Sequence, residues 1–295
     1  MNDKFASPSR KVFLVCNTIF IMALGLTCLL PVINILAISF SSKSAAAAGN
    51  VVFWPIDFTT SAYTYVLKRG AFWRALGVTL ERVILGGALN LLLTVLTAYP
   101  LSKSKDKFQL RTIFAWFFFF STLFNGGLIP GYMLIKELHL LDTIWALILP
   151  SAVPVFNVIL MLNFFRQLPQ EMEEAALVDG AGQFRTLFSI YIPCAKASIA
   201  TVVLFSVVAH WNSYFDGIIF SNFPENYPLQ SYLRNMLSSV NLSALSGNDW
   251  KMLGDISDRT VKAAQVFISM IPILCVYPYL QRYFVKGMTL GSVKG

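Results

Sequence analysis

The sequence predicts an all-α integral membrane protein, and three features carry that prediction. Of 295 residues, 56% are hydrophobic and 13% are charged, with a mean hydropathy of +0.63. A soluble chain carries about 25% charged residues, so too little polar surface is present here to cover a globule. The apolar residues gather into long uncharged runs, about six of which reach the ~18 residues that cross a bilayer core of about 30 Å. These runs are continuous rather than alternating, which selects helices over a barrel.

The predicted spans are 12–40, 83–102, 112–135, 143–165, 197–215 and 263–281. The first follows Lys4, Arg10 and Lys11, as a signal peptide would. It is much longer than a signal core of about 7–15 residues, however, and reads as a retained helix. Glu81 and Arg82 precede the second span and mark its outer end. Pro31, Pro130, Pro150, Pro154 and Pro272 fall inside spans. Each removes a backbone donor, so neighbouring helices or water must satisfy the freed carbonyls. No sequence repeat is visible.

Orientation follows from the short loops. Lys103, Lys105, Lys107 and Arg111 separate spans two and three, whereas Lys136 and Glu137 balance between three and four. Basic residues also sit in both tails. The positive-inside rule therefore places both termini in the cytoplasm, with 43–74 and 216–262 outside. The net charge of +8 is spread in clusters between apolar runs, which suits anionic lipid headgroups and excludes a nucleic-acid partner. Cys16, Cys28, Cys194 and Cys275 lie in or beside apolar runs without paired spacing, so neither a disulfide framework nor a metal site is expected.

One cytoplasmic segment, 169–188, is amphipathic rather than apolar. Pro169 suits a helix start, and Glu171, Glu173 and Glu174 suit the positive end of the helix dipole. Asp179-Gly180 is a turn pair whose glycine permits positive φ or a close approach. A second short helix then presents Phe184, Leu187 and Phe188 at helical spacing, and Ala175, Ala176 and Ala181 offer a narrow surface to another protein. An interfacial helix resting on lipid has a similar profile.

The pattern Glu174-Ala175-Ala176, then Asp179-Gly180-Ala181, then Ile190 and Pro193 resembles the signature of the permease subunits of bacterial ATP-binding cassette (ABC) importers. Ile192 stands where that family usually has leucine. Asn125-Gly126-Gly127-Leu128-Ile129-Pro130 and His210-Trp211-Asn212-Ser213-Tyr214-Phe215-Asp216 look like the carbohydrate branch, similar to the maltose-type second permease. More narrowly they resemble the subgroup for complex or acidic oligosaccharides, including aldouronate- and alginate-type systems. The tail from Tyr283 to Gly295 is similar to the family C-terminus.

The resemblance implies a type I permease fold. It also implies a second homologous permease, two ATP-binding subunits, an extracytoplasmic solute-binding protein and an oligosaccharide substrate, all within membrane lipid. The coupling helices at 169–188 would dock on an ATPase whose ATP-driven closure rocks the spans between inward-open and outward-open. ATP and magnesium would belong to that partner. The sequence has no G-x-x-x-x-G-K-[ST] loop of its own, so the expectation is a transport subunit with no catalytic residue.

Polar groups inside spans usually face a bundle interior or a cavity. His210 and Asn212 lie about 20 Å along the fifth span at 1.5 Å per residue. With Asn125, Trp211, Tyr214 and Asp216 they are candidates for the substrate path, the alternative being bonds to neighbouring helices. Asn157 and Asn163 are expected to bond between helices. A permease for peptides or anions, an intramembrane enzyme and a passive channel are the competing readings. The enzyme lacks clustered acids or paired histidines, and the channel gives the surface helices no purpose.

Overall fold

The computed structural model describes residues 8–238 and 257–291, which are mainly helical with no strand among them. Part of the expected outer segment 216–262, most of the N-terminal tail and the last four residues lie outside the described residues. Among the described residues, three helices are long and apolar enough to cross a membrane, and three bent helix pairs bring the number of candidate spans to as many as six. The chain divides into two compact units, Met1–Gly70 with Met236–Met270 and Ala71–Asn235 with Ile271–Gly295.

In the first unit α1 (Pro8–Ser39) continues through Pro31. None of its most apolar stretch is buried, and Phe13, Ile19, Phe20 and Leu26 project outward. Such a surface is stable only against lipid or another protein. After it, α2 (Lys43–Ala48) is capped by Ser42 and closed by Gly49 at φ +76°, and α3 (Ser61–Lys68) follows. Asn34 ties α1 to the intervening loop by donating to the carbonyls of Val51 and Val52 at 3.1 and 2.7 Å. Ala37, Ile38, Ala45, Ala46, Val51 and Ala263 form the local core.

The second unit begins on α4 (Gly70–Ser102). It starts well before the expected boundary at 83, so Arg82 lies inside the helix and not at its end. The expected span 112–135 is broken into α5 (Arg111–Leu123) and α6 (Leu128–Glu137), bent by 114°. The cause is local: Gly127 takes φ +93°, and the Asn125 side chain accepts its amide at 2.9 Å in place of a helical carbonyl. The fourth span breaks by 50° between α7 (Ile144–Ile148), extended by a 3₁₀ turn, and α8 (Val155–Gln167). Pro150 and Pro154 flank that break and supply no amide.

Beyond α8 come α9 (Gln170–Val178) and α10 (Gln183–Thr186), the latter running through a π-helical turn, Leu187–Tyr191, into α11 (Ile192–Cys194). An 84° bend leads to α12 (Lys196–Asn212), so the α10–α11 segment does not prolong that span. Then come α13 (Phe215–Phe220) and α14 (Leu229–Ser238), followed by α15 (Asp258–Gly291), whose residues as far as Met270 belong to the first unit and the rest to the second. The unit's core joins Val95, Ala98, Tyr99, Met161, Phe165, Leu187, Tyr191 and Val202. Asn157 donates to Ser206 at 3.3 Å between α8 and α12, the interhelical role expected of it. Asn163 is exposed.

Candidate functional site: an anchored surface helix and a buried ion pair

The α9 helix ends in a Schellman motif. Ala181 N–H reaches the Ala176 carbonyl at 2.9 Å and Gly180 N–H reaches Leu177 at 3.0 Å. That geometry requires a left-handed residue, and Gly180 has φ +74°. A Cβ there would meet nothing of this chain within 4 Å, so within the chain it is the conformation that calls for glycine.

A buried charge cluster holds α9 in place. Glu173 and Lys103, just beyond the end of α4, pair at 3.0 Å with side chains only 5% and 8% exposed. Tyr191 donates to the same carboxylate oxygen at 2.9 Å, and Lys107 approaches the other at 3.4 Å. The Lys103 ammonium also sits 3.9 Å from the Tyr99 ring centre. Burial opposes ionisation of Glu173, but the hydrogen bonds from Lys103 and Tyr191 and the charges of both lysines outweigh it. The carboxyl is held below its usual 4.5. A carboxylate depressed in this way stabilises the fold above its unfolded pKa, and the contribution disappears as pH falls through the folded value. Hydrogen exchange of the α9 amides should therefore be protected equally at pH 6 and 7, after correction for intrinsic rates. Protection should be lost progressively as pH falls below about 4.5. A Glu173→Gln protein should lack that acid step.

This anchoring sorts the expected coupling residues. Glu174, Ala175, Asp179, Gly180, Phe184 and Phe188 face outward, and Ala181 is half-buried. Ala176 and Leu187 are turned into the chain's own core at 7% and 2% exposure. Glu173 itself was legible only as a helix-dipole residue.

The polar groups of the spans form a second cluster. Arg82, 1% exposed, makes a two-pronged pair with Asp216, one prong being Nη1 to Oδ1 at 3.1 Å. It also donates to the Leu147 carbonyl at 3.0 Å and approaches His210 Nδ1 at 3.4 Å. His210 Nε2 meets Asn90 Oδ1 at 3.0 Å, and Asn90 donates to the Ser151 carbonyl at 3.0 Å. Both carbonyls border the proline-broken stretch, Leu147 in α7 and Ser151 in the 3₁₀ turn that follows it. Side chains of α4 thus supply donors at the place where prolines withhold amides. Gly86 permits the contact, since a Cβ there would lie 2.6 Å from the His210 ring.

His210 and Asp216, expected on the substrate path, both bond to side chains of α4. Arg82 is no interfacial marker but the centre of the cluster, and nothing in the sequence pointed to it. Trp211 is buried, whereas Asn212, Tyr214 and Asn125 are exposed. The four cysteines are unpaired, and no group of metal-ligating side chains occurs among the described residues.

Spans broken around buried polar groups, with a rigidly anchored amphipathic excursion between two of them, define a multi-pass membrane transport component. Residues 5–290 match the family described as binding-protein-dependent transport system inner membrane component, and the chain belongs to that family. Protein LplC of Bacillus subtilis (strain 168) is 40% identical over 289 residues, 98% of this chain and 97% of LplC. The polygalacturonan/rhamnogalacturonan transport system permease protein YtcP of the same strain is 36% identical over 94% of this chain and 96% of its own. A crystal structure of a bacterial ABC transporter involved in the import of the acidic polysaccharide alginate matches at TM-score 0.86. The match has 34% identity and covers 95% of this chain and 99% of that one. The chain is accordingly a membrane-embedded permease component and not an enzyme. ATP and magnesium in such importers are handled by a separate ATPase subunit, and a second permease and a solute-binding protein complete the machinery.

Proposed function

We propose that this chain carries an acidic oligosaccharide across the cytoplasmic membrane as one of two permeases, with both termini cytoplasmic. The observation that carries the coupling part of this reading is the anchored α9–α10 segment. Its inner face is fixed by Glu173, Ala176 and Leu187, and its outer face offers Phe184 at 72% and Phe188 at 53% exposure beside Glu174, Ala175, Asp179 and Gly180. An apolar pair rimmed by charge is the composition of a protein interface, and an ATPase subunit is the partner it fits. Movement of that ATPase would reach α4 through Glu173 and Lys103, because the ion pair leaves no slack between the helices. The substrate-facing groups are then Asn212 and Tyr214, with Asn125. The acidic class of sugar rests on the similarity to the alginate and polygalacturonan/rhamnogalacturonan systems.

Vesicles holding this chain with its second permease, ATPase and binding protein test the reading. Labelled oligogalacturonate or alginate oligomers should accumulate on ATP addition at least tenfold faster than neutral maltodextrin of equal length, a ratio equivalent to about 1.4 kcal/mol. Equal or inverted rates would overturn the acidic assignment. A Phe184→Asp/Phe188→Asp chain should insert normally yet fail to co-purify with the ATPase; retention of the ATPase would remove the assigned face.

A further inference from the structure

Beside the α9 anchor lies a cavity of about 260 Å³ whose lining is strongly unbalanced in charge. Lys103, Lys107, Arg111 and Arg166 all reach it, and Glu173 is the only carboxylate lining it among the described residues. Lys103 and Glu173 neutralise each other at 3.0 Å, and Lys107 is held loosely at 3.4 Å. That leaves Arg111 and Arg166, which are close enough to repel one another, with no acid of their own. Both guanidiniums are nevertheless fixed. Arg111 donates to the Lys103 carbonyl at 2.9 Å and Arg166 to the Leu101 carbonyl at 3.3 Å. These are carbonyls at the end of α4, where a helix carries its own partial negative charge. Each guanidinium has five N–H groups, so most of their donors remain for something else. Cations fixed side by side around a cavity are held against their repulsion, and an anion placed between them removes that cost.

We propose that this cavity binds the phosphate of an anionic phospholipid headgroup. Arg111 and Arg166 would grip the phosphate oxygens, for which the guanidinium fork is well shaped, and Lys107 would add a third charge. The lipid source follows from position. The cavity lies where α4 ends at Ser102, α5 begins at Arg111 and α8 ends at Gln167, which is where hydrocarbon gives way to headgroups. Phe165 and Leu168 add apolar surface to the lining. Because Lys107 is shared with Glu173, a bound anion would also bear on the anchor of α9. The proposal needs only the cavity and the spans, and it stands whatever the sugar is.

The assembled transporter in nanodiscs of mixed phosphatidylcholine and phosphatidylglycerol provides the test. Lipid retained on gentle removal of the bilayer is counted by native mass spectrometry. Wild type should retain phosphatidylglycerol preferentially. Arg166→Gln and Lys107→Gln should each lower that preference roughly fivefold, the ratio equivalent to about 1 kcal/mol per cation. Arg166→Lys, which keeps the charge and gives up the guanidinium bond to Leu101, should keep most of it. Arg10→Gln/Lys11→Gln removes two charges elsewhere and should lower the preference far less than either of those changes. An equal loss in that control would show general surface attraction and overturn the site. Displacement of retained lipid by millimolar glycerol 3-phosphate would show that a soluble phosphate occupies the cavity and would overturn the lipid source.

Discussion

Replacing Asp216 by alanine is expected to destabilise the protein more than replacing Arg82 by methionine, although the two changes cut the same ion pair. Arg82 is almost wholly enclosed, whereas the Asp216 side chain is 23% exposed. A guanidinium stranded in the interior cannot shed its charge, while a stranded carboxyl can take up a proton or turn to water. Breaking one partner from a buried pair typically costs about 3–5 kcal/mol. The alanine variant should fall near the top of that range and the methionine variant near the bottom. Asp216→Ala also removes the acceptor of Ser213 and of the Gly217 amide. The combined Arg82→Met/Asp216→Ala protein leaves no buried charge, so it should recover part of the loss, as apolar replacements of buried pairs often do. Thermal midpoints of the assembled transporter in detergent distinguish the three. Three midpoints equal to wild type would mean that the pair contributes nothing to holding α4 against α13.

That pair also marks where sequence reasoning stops. A charged residue next to an apolar run is ordinarily the end of a span, and Glu81-Arg82 ahead of 83–102 was read so. The helix instead begins at Gly70 and carries Arg82 inward, because its counter-ion is supplied from 134 residues away. No local pattern reports a partner at that distance. Prolines gave better guidance, since Pro150 and Pro154 do flank a break. The sharper bend at Asn125-Gly126-Gly127 was noticed only as part of a family-like motif, although Asn-Gly-Gly is itself a turn composition. For the surface helix, Glu173 and Glu174 are adjacent and chemically alike. The spacing that separates them was present, because Glu173 and Ala176 are three apart and share a face. Which face turns inward depended on Lys103, just beyond the end of α4. The oligosaccharide-like segment shows the same limit: His210 and Asp216 were recognisable as costly polar groups in a span, but the arginine that claims both was not.

The contrast between those two neighbouring glutamates yields the most decisive test of the coupling assignment. Glu173→Ala should release α9 from α4, since it leaves Lys103 enclosed without its counter-charge and Tyr191 without its acceptor. A loss of about 3–5 kcal/mol in the local stability of the segment is expected from an unpaired buried charge. It should appear as faster hydrogen exchange across Gln170–Val178 with the spans themselves unaltered. Glu174→Lys touches nothing inside the chain, since Glu174 is exposed, and should leave exchange within about 0.5 kcal/mol of wild type. Its effect should fall on the partner: reversing a charge at a docking surface weakens association mainly through complementarity. ATPase co-purification and substrate-stimulated hydrolysis in liposomes should drop in both variants, but for different reasons that the exchange data separate. Adding Lys103→Met to Glu173→Ala removes the stranded charge and should restore exchange protection in part without restoring coupling, because the rigid link between α9 and α4 is still missing. Full coupling in that double variant would show that the drive from the ATPase enters by another route. Normal hydrolysis in Glu174→Lys would show that the outward face of α9 does not meet the ATPase.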